Sequence, residues 1–304
     1  MRVRPAAGKG EASNVTKLTI QMGTAPAEVV VSVNNTQESL WLSSLANMNI
    51  DVIELASGDY SWGNGIVSPD RTSRPLTIRP ALGATVNFTR PAAGSAMFAI
   101  GYGGACKYVT FDGRPGGLGT ASGMYFKDTV LAKDGIFEVY TSSFFTVKYC
   151  TFQNNAPGTY GGQTGGPTTT WCFYIGIGGS VVDDMTIDHC WFKSPATART
   201  MGVAQVYDNG SAAVANRLRI TNVQELDAYS VGFTAYGNVV NDIVLDTWTM
   251  SNVYGYFDAH SIYFYGAAFQ SGAYSNITAT NCATLGDTHS GGGTVTNGGG
   301  NSGI

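Results

Sequence analysis

Six tyrosines, Tyr140, Tyr174, Tyr207, Tyr236, Tyr263 and Tyr265, each directly follow an apolar residue in a short alternating segment. The segments run Phe137 to Tyr140, Phe173 to Gly176, Ala204 to Tyr207, Phe233 to Tyr236 and Ile262 to Tyr265. Side chains alternate across a strand, so the tyrosines share one face if Phe137, Val139, Phe173, Ile175, Ala204, Val206, Phe233, Ala235, Ile262 and Phe264 point into a core. A tyrosine joins a flat apolar face to a hydroxyl, which suits stacking on a sugar ring and hydrogen-bonding its hydroxyls. These six are the candidate substrate-binding residues. Aromatic residues stacked in this way also serve as ordinary cross-strand stabilisers.

Residues fit for acid–base work lie near that face. Glu138 is on one of the strands, Lys193 and Arg199 fall in one connecting stretch, Asp208 follows a strand, and Asp258 and His260 share another loop. Glu138, Arg199, Asp208, Asp258 and His260 are the candidate catalytic residues. Eliminating across a uronate needs its carboxylate neutralised and a proton removed from the adjacent carbon. Arg199 can bind a carboxylate through two parallel hydrogen bonds, and His260 or a tyrosine can exchange a proton. Hydrolysis would instead need two carboxyls across one glycosidic bond. Each of these residues also reads as a solvated loop charge.

The elements that position them are set by a repeated phrase. Thr186-Ile187-Asp188-His189-Cys190-Trp191-Phe192 is matched by Thr146-Val147-Lys148-Tyr149-Cys150-Thr151-Phe152 and, less closely, by segments at Arg219, Val244 and Thr278. Each phrase has an apolar residue, a polar one, a turn-tolerant one and then another apolar one. With Val147, Ile187, Ile220, Leu245 and Ala279 as equivalents, the steps are 40, 33, 25 and 34 residues. Self-similarity at such a period signals a solenoid. Two short strands joined at one αL-tolerant residue describe two sides of a β-helical coil. Cys150, Cys190 and Cys282 then share an inward position as small buried hydrophobes. Cys172 lies beside an outward position and is the expected reactive thiol. Lys148 and Asp188 are expected to pair across adjacent coils.

Forty glycines and a charged fraction of only 12% fit a turn-rich β chain. A net charge of −4 gives no basic footprint for nucleic acid. No apolar run is long enough for a membrane span, and the five cysteines show neither a pairing framework nor a Cys-x-x-Cys metal pattern. Met1 to Pro5 starts basic without an apolar stretch after it, so no signal peptide is expected. Thr36 to Ala46 reads as a short helix capped by Thr36 or Asn35, able to cover the exposed end of a solenoid.

Asp51 to Tyr60, Pro75-Leu76-Thr77-Ile78-Arg79-Pro80 and Ala84-Thr85-Val86-Asn87-Phe88 resemble the opening coils of the pectate-lyase-like superfamily of right-handed parallel β-helix proteins. The resemblance continues through Tyr108 to Gly113 and the repeats, roughly residues 45–285. It implies an all-β, single-stranded right-handed parallel β-helix of about eight coils, on the order of 40 Å long at one strand spacing per coil. The expected organisation is an N-terminal segment with possible cap strands over 1–34, the β-helix with its capping helix over 35–285, and a flexible Gly-rich tail over 286–304. The resemblance places a glycan groove on the tyrosine-bearing strands and their loops. It implies a polysaccharide partner, β-elimination on a uronate-containing glycan, and Ca²⁺ as an alternative to Arg199 for the carboxylate. Lyases, hydrolases, phage tailspikes and non-catalytic adhesins share this fold. The alternative is therefore a non-catalytic receptor-binding module, extracellular or virion-associated, and a homotrimer if a tailspike. Asp183-Asp184 resembles the paired aspartates of polygalacturonase-like hydrolases, but that family's other segments are missing. Ile187-Asp188-His189 resembles a local phrase of pectate lyases, and His189 at the bend is expected to be structural.

Overall fold

Alternating apolar and polar residues over three to five positions make short strands, and a single residue able to adopt αL between two of them makes a sharp corner. The computed structural model describes residues 27–62, 65–90, 96–128, 135–154, 170–193, 201–207, 214–226, 233–236, 239–251, 262–265, 271–280 and 294–302. Its strands pair in parallel and stack into a β-helix with four walls. A coil runs from wall A (for example Phe137–Val139) to the short wall B (Ser142–Ser143), wall C (Thr146–Lys148) and wall D (Thr151–Asn154). Walls C and D form one continuous sheet, because Arg219–Leu226, Ile243–Ser251 and Ser271–Thr280 each run through the bend between them. No helix among the described residues is long and apolar enough to cross a membrane.

The phrase holds in register for four of its five expected members. Val147, Ile187, Ile220 and Leu245 are successive partners on wall C. The fifth is mis-phased: Leu245 pairs with Tyr274, and Ala279 pairs with Met250 on wall D. An amphipathic tyrosine takes the inward place where an aliphatic residue was expected. The bend residue of that coil is consequently Asn276, and Cys282 lies outside the described residues.

All ten non-glycine residues with positive φ among the described residues stand at two corners. Tyr149, His189, Asn222, Thr247 and Asn276 form the corner between walls C and D, and Tyr108, Phe144, Asp184, Arg217 and Asp242 the corner between walls B and C. Each such residue costs about 1 kcal/mol against an ordinary conformation. The offset lies in the stacking, which lets corner amides donate to the next coil. Tyr149 N–H reaches Asp188 O at 3.1 Å, His189 N–H reaches Thr221 O at 3.1 Å, and Asp184 N–H reaches Asn216 O at 3.0 Å. No corner amide so paired is left without an acceptor in the core. Gly113 is required beside this stack, since a Cβ there would lie 1.9 Å from Tyr149 O.

Inside, matched positions on successive coils build columns of like side chains. Phe88, Phe126, Phe152 and Phe192 stack along wall D with centroids 4.9 to 5.3 Å apart and planes within 19° of parallel. Phe98, Phe137 and Phe173 stack along wall A at 5.3 Å with planes within 25° of parallel. These separations match the spacing of neighbouring strands, so backbone pairing and aromatic packing reinforce each other. Cys150 and Cys190 are buried as expected, but Cys172 is buried too. Trp171, Cys172 and Phe173 are all enclosed at this point of the longest described wall A strands. The expected reactive thiol is therefore a core residue.

The helix spans Glu38–Ala46 and turns Trp41, Ser44 and Leu45 onto the first coil, with Leu40 exposed. Gln37, rather than Thr36 or Asn35, occupies the N-cap position. Asn34 instead receives bonds from the Thr36 amide and hydroxyl, holding the preceding turn. The buried Arg71 guanidinium donates to the carbonyls of Asn47, the residue that caps the helix end, and of Ile50 and Arg74 in the turns beside it.

Val30–Val33 adds a parallel strand to Val52–Leu55 as a cap layer. The segment read as a flexible tail supplies a further strand at Thr294–Asn297, parallel to Ser271–Tyr274, and Ser302 bridges Thr278. Among the described residues wall C stacks ten strands, eight of them within residues 35–285, matching the expected eight coils, with Val30–Val33 before them and Thr294–Asn297 after. Thr-Val-Thr-Asn keeps the β alternation despite its glycine-rich surroundings, and pairing needs no large side chain when the strand below already presents its edge.

Candidate functional site

Two outer surfaces gather side chains able to meet a ligand. On wall A, burial of Phe137, Val139, Phe173, Ile175, Ala204, Val206 and Phe233 puts the alternate residues outside. Glu138, Tyr174, Gln205, Thr234 and Tyr263 occupy one register position in five consecutive strands, outward at Glu138, Tyr174 and Gln205. Tyr207, Tyr236 and Tyr265 occupy a second, two residues further along. Tyr140 follows Val139 at the corresponding place in the Phe137 coil. All six expected substrate-binding tyrosines thus fall in two parallel files.

Glu138 and Tyr140 are brought together. Both are half-buried, and the Tyr140 hydroxyl donates to the Glu138 carboxylate at 2.9 Å. The Tyr140 ring meets the exposed Tyr102 edge-on at 5.0 Å. Arg199, Asp208, Asp258 and His260 lie outside the described residues. Lys193, expected beside Arg199, ends the strand Trp191–Lys193 on wall D and so faces a different side of the rod. Among the described residues no three His, Cys, Asp or Glu side chains converge as metal ligands.

Asp112, Asp183, Asp184 and Asp188 are committed to pairing at or beside the corners. Asp188 is pushed up by partial burial but held below its ordinary range by hydrogen bonds from Asn222, His189 and Thr221. Its Oδ2 lies 2.7 Å from His189 Nδ1, and the His189 ring stacks on Tyr149 at 4.7 Å. Asp112 is likewise raised by burial and then lowered further by Arg114 and Lys148. Lys148 pairs with Asp112 at 3.3 Å. That corrects the expected Lys148–Asp188 pair: Asp188 takes up the hydroxyl and amide donors of the following coil, leaving the lysine to the coil before. Asp184 forms a two-point pair with Arg217. Asp183 accepts from Asn216 at 2.8 Å. The Asp183-Asp184 doublet and His189 thus hold the coil corners.

Wall D carries the second surface, which the sequence reading missed. A groove of about 530 Å³ is lined by Thr120, Ser122, Tyr125, Thr151, Trp191 and Lys193 among others. It is within the size range of small-molecule sites. The signal that could have found it is Trp191, a large aromatic at the outward place between the inward Cys190 and Phe192.

No family model and no curated protein matches the chain. Among solved structures, the chain is similar to a catalytic domain of a GH87 alpha-1,3-glucanase in complex with tetrasaccharides, with 12% identity, a TM-score of 0.30, and coverage of 92% of this chain and 70% of that one. A GH87 alpha-1,3-glucanase catalytic domain in complex with nigerose is similar at 11% identity and a TM-score of 0.28, with the same coverage.

Proposed function

We propose that the protein binds an acidic polysaccharide along the outer face of wall A and cleaves it by β-elimination. The observation that carries this reading is the register, which aligns Tyr207, Tyr236 and Tyr265 on consecutive strands beside the file of Glu138, Tyr174 and Tyr263. Successive coils repeat at one strand spacing of about 4.8 Å, so a glycan lying along the rod meets the same hydroxyl-bearing position again at each coil. In the chemistry proposed, Tyr140 passes its hydroxyl proton to Glu138, to which it is hydrogen-bonded, as it takes the proton from the carbon that bears the carboxylate. The bond to the leaving glycosidic oxygen then breaks, a carbon–carbon double bond forms, and a proton passes to that oxygen. Such a protein acts where polysaccharide is met, outside a cell or on a virion.

One observation favours a second reading, a non-catalytic receptor-binding module. Among side chains described on the outer face of wall A, Glu138 is the one carboxyl, while the corner aspartates are bound elsewhere. The deciding assay follows the ultraviolet absorbance of an unsaturated uronate on a panel of acidic polysaccharides. A rise lost in Tyr140→Phe and reduced in Glu138→Gln supports elimination. Binding without a rise, weakened in Tyr236→Ala, leaves the receptor-binding reading. Neither a rise nor binding removes both.

A further inference from the structure

The groove on wall D lies on a different face from the tyrosine files and is independent of the reading of wall A. Its floor is a file of outward positions. Tyr125 pairs with Thr151, Thr151 with Trp191, and Trp191 with Gln224. Thr151 is small and covered on both sides, so Tyr125 and Trp191 stand two coils apart, about 9.6 Å at the ordinary strand spacing, with a gap over the threonine between them. One side is formed by Thr120, Ala121 and Ser122, held by the Tyr125 hydroxyl donating to Ser122 O at 3.2 Å.

Among the described residues that line this gap, the charge is one-signed. Lys193 lines the groove, and Lys127 occupies the same register column two coils earlier, through Gln153. Lys127 Nζ lies 5.6 Å from the Tyr125 ring centroid, a cation–π distance that fixes it beside the groove. Among the described residues none that lines the groove is acidic. A protein of net charge −4 thus presents two amines here, next to two aromatic side chains and the exposed Gln224 amide. Aromatic faces stack on the apolar sides of sugar rings, amines pair with carboxylates, and an amide bonds hydroxyls.

We infer that the wall D groove binds an acidic oligosaccharide, a hexuronate oligomer whose rings contact Trp191 and Tyr125 and whose carboxylates meet Lys127 and Lys193. This is a second carbohydrate site, separate from the tyrosine files of wall A.

The test uses the full chain carrying Tyr236→Ala, so that wall A is weakened independently. Tetragalacturonate is the probe and a neutral maltotetraose the control, with binding read by calorimetry and by tryptophan fluorescence at low and high salt. Tetragalacturonate binding is expected to exceed maltotetraose binding at least tenfold and to weaken as salt screens the exposed amines. Trp191→Ala should reduce it at least tenfold. Lys193→Glu, an exposed substitution that leaves the core untouched, should reduce it by a similar factor while unfolding at the parent temperature. Equal binding of the neutral sugar, full binding by Lys193→Glu, or no binding by the parent would each overturn the inference. None of these outcomes bears on the elimination assay at Tyr140, so the two readings fail separately.

Discussion

Glu225 offers the sharpest test of the packing argument. It stands where wall D points inward, paired with Phe192 on one side and Met250 on the other, at the end of the phenylalanine column. The side chain is buried and neither carboxyl oxygen has a hydrogen-bond partner within reach. Burial pushes its pKa well above the ordinary value, opposed by the Trp248 indole nearby. The indole N–H is itself without a partner at hydrogen-bond distance. Glu225→Met should continue the column between Phe192 and Met250. Removing an unsatisfied buried polar group is worth about 1–3 kcal/mol, a rise in Tm of about 1.5 °C per kcal/mol for a chain of this size.

The pH dependence supplies the control. A carboxyl with a raised folded pKa binds more protons in the folded state than in the unfolded one. Its contribution is most favourable below the unfolded pKa, near 4.5, and declines as pH rises toward the folded value. The slope for one proton is about 1.4 kcal/mol per pH unit. Denaturant midpoints of the parent and of Glu225→Met should therefore diverge steadily from pH 5 upward, with the variant ahead. An equal difference at pH 5 and pH 7, or a less stable variant at pH 7, would refute the claim that a bare carboxyl is enclosed there.

Two further outcomes follow from the corners and the core. Thr247 lies between Asn222 and Asn276 in the C–D corner and holds φ of 52°, which a β-branched residue adopts poorly. Thr247→Asn should stabilise the protein by about 1 kcal/mol, read as a shifted denaturant midpoint, and a destabilised variant would count against the corner account. Burial encloses all four cysteines described, Cys106, Cys150, Cys172 and Cys190, and raises the Cys106 and Cys150 thiols. In a Cys282→Ser background a thiol reagent should label nothing until the protein is unfolded, and fast labelling of Cys172 would overturn its assignment to the core.

Much of the architecture was legible because the inward residues repeat. Val147, Ile187, Ile220 and Leu245 are alike enough to be aligned by eye, and Asn222 advertises its bend through its tolerance of αL. Tyr274 broke the pattern because its place asks for bulk, which a tyrosine also supplies. The B–C corner was invisible for a different reason. Tyr108, Phe144, Asp184, Arg217 and Asp242 share no chemical type, and only the stacked amides and carbonyls unite them. On wall A the tyrosine files followed from strand alternation alone. The wall D groove did not, because a tyrosine, a threonine and a tryptophan in one column look unrelated until the register joins them.

The connections from wall D to wall A have an evolutionary consequence. The chain leaves wall D at Asn154, Lys193, Leu226 and Ser251 and rejoins wall A at Thr170, Met201, Phe233 and Ile262. These intervals differ in length, yet the strands on either side keep strict register. Insertions at this edge therefore leave the columns of the core undisturbed, and long surface insertions cost little loop-closure entropy. Residues added there border both wall A and the wall D groove. A lineage carrying this scaffold can change what it recognises by lengthening one edge, without renegotiating the packing beneath, and a laboratory can graft peptides by the same route.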